Sequence, residues 1–233
     1  MKFIVRPEVF AALPQLCFGV VRARGLDNSG RLPQLAERLA LAMEAVRNRY
    51  SGTDSHDIEG LKVYRDAFSQ LGYNPNKFMC SIEAMVRRVL KGGDLPSING
   101  VVDLGNSISL KYLLPIGAHD IGAAADDIEV RHARVDDTFT PFGAEKPEKV
   151  ASGEVVYARG NSVKTRRWIW RQGVPGMIDA GTTEVFYPID GFAGVNDEHV
   201  IAARDELAAA VETTLGGQVA VGWVDAVNPE FLL

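Results

Sequence analysis

Short apolar runs separated by turn residues fill the middle of this chain and limit the folds open to it. The runs predict strands at 101–104, 128–135, 154–157, 163–170 and 184–189, with glycine, proline, aspartate and asparagine between them. Apolar residues at helical spacing predict helices over 32–46, 58–71, 81–90 and 200–215, and further strands are predicted at 3–6, 16–24 and 219–224. No linker-like tract divides the sequence. We therefore expect one α+β domain covering residues 1–233, in which helices cover an irregular, mostly antiparallel β core.

The predicted helix at 81–90 has the clearest local signals. Ser81 is expected to cap its first turn, and Gly92 follows its end. Glu83 and Arg87 lie four residues apart, so we expect them to pair on the helix surface.

The segment 97–131 places uncharged and acidic polar residues among short apolar runs. Asp103, Asn106, Ser107 and Ser109 must either reach water or find hydrogen-bond partners, because burying them unpaired costs free energy. We interpret this segment as the wall of a ligand pocket rather than as a generic core strand.

His119 and Asp120 are the only adjacent imidazole and acid in that segment, and a histidine near its ordinary pKa can act as a general base. The alternative is a turn in which Asp120 accepts bonds from backbone amides and His119 is exposed. Adjacent side chains of an extended segment point to opposite faces, which favours the alternative.

A basic and aromatic stretch covers 164–171, and alternation within a strand would place Lys164, Arg166, Trp168 and Trp170 on one face. Such a face can stack a base and neutralise a phosphate, as in proteins that bind single-stranded nucleic acid. The alternative is a pair of core tryptophans covered by arginine stems.

Charge and cysteine content narrow the classes of function. The net charge of −5 and the pI of 5.4 argue against nucleic-acid binding by bulk electrostatics. The cysteines and histidines lack metal-ligand spacing, and phosphate-loop, dinucleotide and His-Glu-x-x-His motifs are missing, so we expect neither a metal nor a cofactor. Two dispersed cysteines and no apolar run of membrane-spanning length favour a cytoplasmic protein with no membrane partner.

Three consecutive motifs carry a resemblance to a known family. They are Val-Val-Asp-Leu-Gly-Asn at 101–106, Pro-Ile-Gly-Ala-His-Asp at 115–120 and Ile-Glu-Val-Arg at 128–131. In this order and spacing they resemble the editing and tRNA-binding (B3/B4) domain of the phenylalanyl-tRNA synthetase beta subunit, most strongly over 75–190. The resemblance implies a three-layer fold with an unusual β-sandwich. It also implies a pocket that removes wrongly attached tyrosine from tRNA, a reaction needed where binding alone discriminates too weakly.

The resemblance assigns candidate residues, with some departures from the family pattern. Asn106 matches the family's pocket asparagine, whereas Gly105 replaces a threonine, Gly117 falls at the pocket histidine, and Gln172 lies near the position of a recognition glutamate. The candidate pocket residues are Gly105, Asn106, Gly117, His119, Asp120, Thr182 and Thr183. The candidate RNA contacts are Arg87, Arg166, Arg167 and Trp170.

Two functional hypotheses follow. In the first, the chain is a free-standing protein that binds tRNA or aminoacyl-tRNA, but not DNA, and cannot charge tRNA. It either only binds mischarged aminoacyl-tRNA or, if it is an enzyme, hydrolyses it in trans as a deacylase. A water held by Asn106, or by the tRNA's ribose hydroxyl, would attack the ester. In the second, the same fold is a non-enzymatic module that binds a free amino acid or a protein partner.

Overall fold

The computed structural model describes residues 1–30, 32–122 and 126–233, which form two β-sheets and six α-helices. The strands are β1 (Lys2–Val5), β2 (Leu16–Arg24), β3 (His119–Asp120), β4 (Ile128–His132), β5 (Thr138–Phe139), β6 (Glu148–Lys149), β7 (Val155–Arg159), β8 (Ser162–Arg166), β9 (Arg171–Gln172), β10 (Glu184–Phe192), β11 (Gln218–Val224) and β12 (Glu230–Leu232). The helices are α1 (Pro7–Ala12), α2 (Pro33–Tyr50), α3 (Glu59–Gln70), α4 (Ser81–Leu90), α5 (Gly100–Tyr112) and α6 (Asp197–Thr214).

The larger sheet has the order β12-β1-β4-β7-β8-β5-β6, with β9 also paired to β8, and the smaller sheet has the order β11-β2-β10-β3. Pairing is antiparallel except between β1 and β4 and between β5 and β8. The predicted α+β class with a mostly antiparallel core is therefore confirmed. The expectation of a single domain over residues 1–233 stays a prediction.

Aromatic side chains fill the space between the two sheets. The ring of Phe3 on β1 lies 5.4 Å from that of Phe18 on β2 and 4.8 Å from that of Phe186 on β10. The opposite face of the small sheet packs against α6. Val200 of α6 lies so close to Gly191 of β10 that a Cβ on this glycine would collide with it. Helix α6, the small sheet and the large sheet thus form three layers, as the family resemblance implied.

The predicted strand at 101–104 is wrong, because these residues begin helix α5. Asn99 caps the helix, its side-chain oxygen accepting a bond from the backbone N–H of Val102 at 3.0 Å. Val101, Leu104 and Ile108 are buried at helical spacing. The β-branched Val-Val pair suggested a strand, whereas the cap and the apolar stripe decide for a helix.

The polar residues of α5 find partners close by in the chain. Ser107 donates to the carbonyl of Leu104 at 2.8 Å, and the side chain of Asp103 accepts from the backbone N–H of Ile98 at 2.8 Å. Ser109 donates to the carbonyl of Leu114. Of the four polar residues singled out in the sequence, Asn106 lines one cavity, and Ser107 lines a separate one between α2 and α5.

The predicted strand at 163–170 ends early, at Arg166. Arg167 and Trp168 adopt positive φ angles of 44° and 62°, so the alternation of side chains stops there. Trp168 becomes fully buried, and Trp170 is half-buried. The proposed single face of basic and aromatic residues therefore does not form.

Two local predictions for α4 are also wrong. The cap residue is Cys80, without a side-chain bond, and the backbone N–H of Ser81 donates to the carbonyl of Ile169 at 2.9 Å. Glu83 pairs with Arg65 of α3 at 2.6 Å, because the buried carboxylate faces α3 rather than its own helix surface.

The capping geometry at α5 gives a stability prediction. Replacing Asn99→Ala removes the bond to Val102 and should lower the free energy of unfolding by about 1 kcal/mol, whereas Asn99→Asp keeps an acceptor and should cost much less. Urea denaturation followed by circular dichroism measures both variants. Equal stability of Asn99→Ala and the parent chain would contradict the capped helix.

Candidate functional site

Two neighbouring cavities lie where the predicted pocket segment meets β10 and the turn after β8. The inner cavity, of about 70 Å³, is lined by Ser81, Pro115, Ile116, Gly117, His119, Tyr157, Thr165, Trp168, Ile169, Trp170, Arg171, Gln172, Pro188 and Asp190. The outer cavity, of about 350 Å³, is lined by Ile98, Val102, Gly105, Asn106, Ile116, Ala118, Phe142, Gln172, Met177 and Ile178. Ile116 and Gln172 belong to both walls, so the cavities adjoin.

The outer cavity has an apolar wall and an exposed apolar rim. Ile98, Phe142 and Met177 each expose about half of their surface at this cavity, at 52%, 50% and 45%. Polar groups enter the wall at Asn106, which is half-buried, and at Gln172, whose side-chain N–H donates to the carbonyl of Ala118 at 3.0 Å. This composition suits an apolar ligand group oriented by a few hydrogen bonds.

The inner cavity contains a fully buried carboxylate, that of Asp190 on β10. One carboxylate oxygen, Oδ1, accepts from the hydroxyl of Tyr157 at 2.7 Å and from the indole N–H of Trp168 at 2.6 Å. The hydroxyl of Tyr64 donates to the backbone carbonyl of the same residue at 2.9 Å. Burial raises the pKa of Asp190 to about 7, against the two hydrogen bonds, which favour the charged form.

Sequence-based prediction did not identify Asp190 as a site residue, because it lies near the end of an apolar strand. Its neighbours in β10 are almost all buried and apolar, and a lone acid there resembles the start of a turn. The available signal was the acid itself, since a carboxylate in a central strand needs partners.

His119 is buried beside Asp190's partner Tyr157. Its ring stacks on Tyr157 with centroids 5.8 Å apart and on Phe186 at 6.1 Å. Burial holds the pKa of His119 well below its ordinary value, and the nearby charges of Lys164 and Arg159 lower it further. The imidazole is therefore neutral, and its Nδ1 has no hydrogen-bond partner among the described residues.

The alternative interpretation of the His119–Asp120 pair is correct in one half and wrong in the other. Asp120 does accept from a backbone amide, that of Gly122 at 2.8 Å, but His119 is buried rather than exposed. The side chain of Asp120 also accepts from the hydroxyl of Thr182 at 2.6 Å. The strand geometry thus separates the two neighbours, as adjacent positions require.

The seven candidate pocket residues fall into three groups. Gly105 and Asn106 line the outer cavity, and Gly117 and His119 line the inner one. Asp120 and Thr182 bond to each other outside both walls, and Thr183 accepts from the backbone N–H of Leu26 at 3.1 Å. Residues 123–125 of the segment 97–131 lie outside the described residues.

Carboxylates and aromatic rings already engage two of the predicted RNA-binding arginines. Arg166 donates to both carboxylate oxygens of Glu154 at 2.9 Å and to Glu148 at 2.7 Å. Arg167 lies over the ring of Phe78 at 3.9 Å and over that of Trp170 at 4.6 Å.

Arg87 differs from these two arginines. Its recorded contact is the sulfur of Met79 at 3.3 Å, which is a weak acceptor. Arg87 lies on α4, the helix whose Ser81 reaches the inner cavity.

Groups of three or more metal-ligating side chains do not occur among the described residues. None of the described helices is both long and apolar enough to span a membrane.

The buried carboxylate predicts a pH dependence of stability. Because the pKa of Asp190 is about 7 in the folded chain and near 3.8 when exposed, the folded state binds more protons between these values, and stability falls as the pH rises through this range. Asp190→Asn removes this loss, so its stability relative to the parent chain should increase from about pH 4.5 to about pH 7 and then level off. Urea denaturation across this range tests the prediction, and a difference that does not change with pH would contradict it.

Comparisons with known proteins relate the chain to a domain family. A search of curated proteins gives no match. The structure aligns with a crystal structure of an N-terminal fragment of the phenylalanyl-tRNA synthetase beta-subunit from Pyrococcus horikoshii, with a TM-score of 0.48 and 13% identity. The alignment covers 93% of this chain and 49% of that one, so the chain spans about half the length of the fragment. The family model of the B3/4 domain matches residues 63–216. Because this match extends over more than half of the sequence, the chain belongs to the B3/4 domain family.

Proposed function

We propose that this protein acts in trans on aminoacyl-tRNA, binding the aminoacyl group in the inner and outer cavities and hydrolysing its ester to the tRNA. The observation that carries the proposal is the pair of adjoining cavities along the segment 105–120, of which the outer has an apolar wall and the inner contains the buried carboxylate of Asp190. That segment also carries the motifs that resemble the synthetase editing domain. Membership of the B3/4 family supports the same assignment.

The two cavities suit different parts of an aminoacyl group. The apolar wall of the outer cavity suits an apolar side chain, with each buried methylene contributing about 0.8 kcal/mol. The inner cavity holds the carboxylate of Asp190 among aromatic rings, so it suits the part of the ligand that carries hydrogen-bonding groups. A pocket of this kind distinguishes side chains that differ by one methylene by only about 1–3 kcal/mol, so the amino acids removed form a size class.

The hydrolytic step needs a water next to the ester carbonyl. The side-chain amide of Asn106, half-buried in the outer cavity, forms no side-chain hydrogen bond within the described part of the chain and can hold such a water. The water oxygen attacks the carbonyl carbon, the bond to the ribose oxygen breaks, and the ribose oxygen takes up the proton. The amino acid leaves as the free acid.

A second candidate function is the binding of a free amino acid without RNA. It is favoured by the engagement of Arg166 with two glutamates and by the net charge of −5, both of which reduce attraction to phosphate. The two functions make different predictions for tRNA.

A panel of mischarged tRNAs tests the first function. The protein should release the amino acid from at least one apolar aminoacyl-tRNA, and Asn106→Ala should slow release about tenfold or more, because the water loses its partner. Ile201→Ala, at an exposed position of α6, is a control that should keep the parent rate. A chain that neither binds tRNA at low salt nor deacylates any member of the panel would overturn the proposal. Stabilisation by a free amino acid in that case would select the second candidate.

The arginines give a separate prediction about RNA contact. Arg87→Ala should weaken tRNA binding and reduce the slope of log affinity against log salt by about one, with little change in stability, because Arg87 has a weak partner in the protein. Arg166→Ala should instead lower the free energy of unfolding by about 3 kcal/mol, because it leaves the buried Glu154 without its main cation. Fluorescence anisotropy with labelled tRNA at several salt concentrations, together with urea denaturation, measures both effects. If Arg166→Ala reduced the salt slope and left stability unchanged, the assignment of the two arginines would be reversed.

A further inference from the structure

We propose that the inner cavity is a binding site for a primary ammonium group, which lies against the carboxylate of Asp190 between aromatic rings. The inference rests on the proposed function in one respect, since it assigns this position to the α-ammonium of the aminoacyl group. The ammonium site itself does not depend on tRNA.

The carboxylate of Asp190 lacks a cationic partner. It is 1% exposed, and in the described ranges of the chain no lysine, arginine or histidine forms an ion pair with it. Its Oδ1 accepts two bonds, whereas its Oδ2 accepts none from the described residues. A buried carboxylate in this state is costly, and a cationic ligand in the adjoining cavity would compensate the charge.

The walls beside this carboxylate are aromatic. Tyr157, Trp168, Trp170 and His119 all line the inner cavity. The electron-rich faces of such rings attract ammonium groups, and a carboxylate combined with aromatic walls is a common way to bind them. The carboxylate of Asp190 would repel a ligand carboxylate at this position.

Arg171 is the one cation among the lining residues, and its side chain is exposed. Within the described part of the chain it forms no ion pair with Asp190. The inner cavity therefore presents its negative group in the buried part and its positive group towards solvent.

The size of the inner cavity limits what enters it. A volume of about 70 Å³ holds several waters or an ammonium group with its first carbon, and it does not hold a large side chain. The remainder of the ligand must extend past Ile116 and Gln172, which the outer cavity shares. The α-ammonium then occupies the inner cavity and the side chain the outer one.

Asp190 is the group in this cavity that titrates near neutral pH. The groups packed around it are Tyr157 on β7, Tyr64 on α3, His119 on β3 and Cys17 on β2, with Arg171 at the exposed side. Burial raises the pKa of both tyrosines and raises that of Cys17 to about 12, so all three stay neutral. The pKa of His119 is well below its ordinary value, so the imidazole is neutral as well. Ammonium binding should therefore strengthen as the pH rises from about 6 to about 8.

Small probes of matched shape test the proposal on the whole chain. Titration calorimetry compares 3-methylbutylamine, which stays protonated in this range, with 3-methylbutan-1-ol and 4-methylpentanoate. We expect the amine to bind about tenfold or more tightly than the alcohol, the acid not to bind, and the preference for the amine to grow several-fold from pH 6 to pH 8. Asp190→Asn, which keeps an acceptor for Tyr157 and Trp168, should abolish the preference, whereas Ile201→Ala should retain it.

Equal affinity for amine and alcohol in the parent chain, or an amine preference that persists in folded Asp190→Asn, would overturn the proposal. If Asp190→Asn does not fold, the amine-to-alcohol ratio of the parent chain and its pH dependence decide alone. Amine binding in a protein that ignores all aminoacyl-tRNAs would support the ammonium site and overturn the proposed function. Deacylation of an aminoacyl-tRNA without any amine preference would support the proposed function and overturn the ammonium site.

Discussion

The carboxylate of Asp190 holds together the elements that form the cavities. It lies on β10 of the small sheet and accepts bonds from Tyr157, on β7 of the large sheet, and from Trp168, in the turn after β8. The hydroxyl of Tyr64 on α3 bonds to its backbone carbonyl. Leaving these buried donors unpaired would cost free energy, so this one residue fixes the relative positions of two sheets and a helix through its side chain and its backbone carbonyl. Asp190, Tyr157 and Trp168 all line the inner cavity.

Periodicity was sufficient to predict the regular parts of the fold. The strand at 16–24 coincides with β2, and the helix predicted over 200–215 is α6 with slightly different ends. The sequence failed at 101–104, where a β-branched pair outweighed the capping signal of Asn99 and the helical spacing of Val101, Leu104 and Ile108. It failed again after Arg166, because nothing local indicates that Arg167 and Trp168 take positive φ angles. There, the burial of the Trp168 ring and its bond to Asp190 determine the backbone, and both depend on residues distant in the chain.

The site could be predicted only in part for the same reason. The polar pattern and the resemblance to the editing domain predicted a pocket wall around Asn106 and Gly117. Both residues line cavities, although the backbone at Asn106 is helical rather than extended. Its charged group was not recognisable, because Asp190 lies in another strand and its partners come from two further elements. The sequence also does not show that Glu154 lies within hydrogen-bond distance of Arg166, so the partners of the basic stretch at 166–167 could not be predicted.

Tyr157 lies between His119 and Asp190, whose pKa values are shifted in opposite directions. Its ring stacks on His119, and its hydroxyl donates to Asp190. Burial lowers the pKa of the imidazole and raises that of the carboxylate, so below neutral pH both groups are uncharged and the empty site carries little buried charge. A cation that enters the inner cavity favours the ionised carboxylate and thereby recovers part of the free energy that its burial costs. Ionisable groups with pKa values shifted by burial cluster at functional sites, which is why we place the proposed site at Asp190 rather than at the basic stretch.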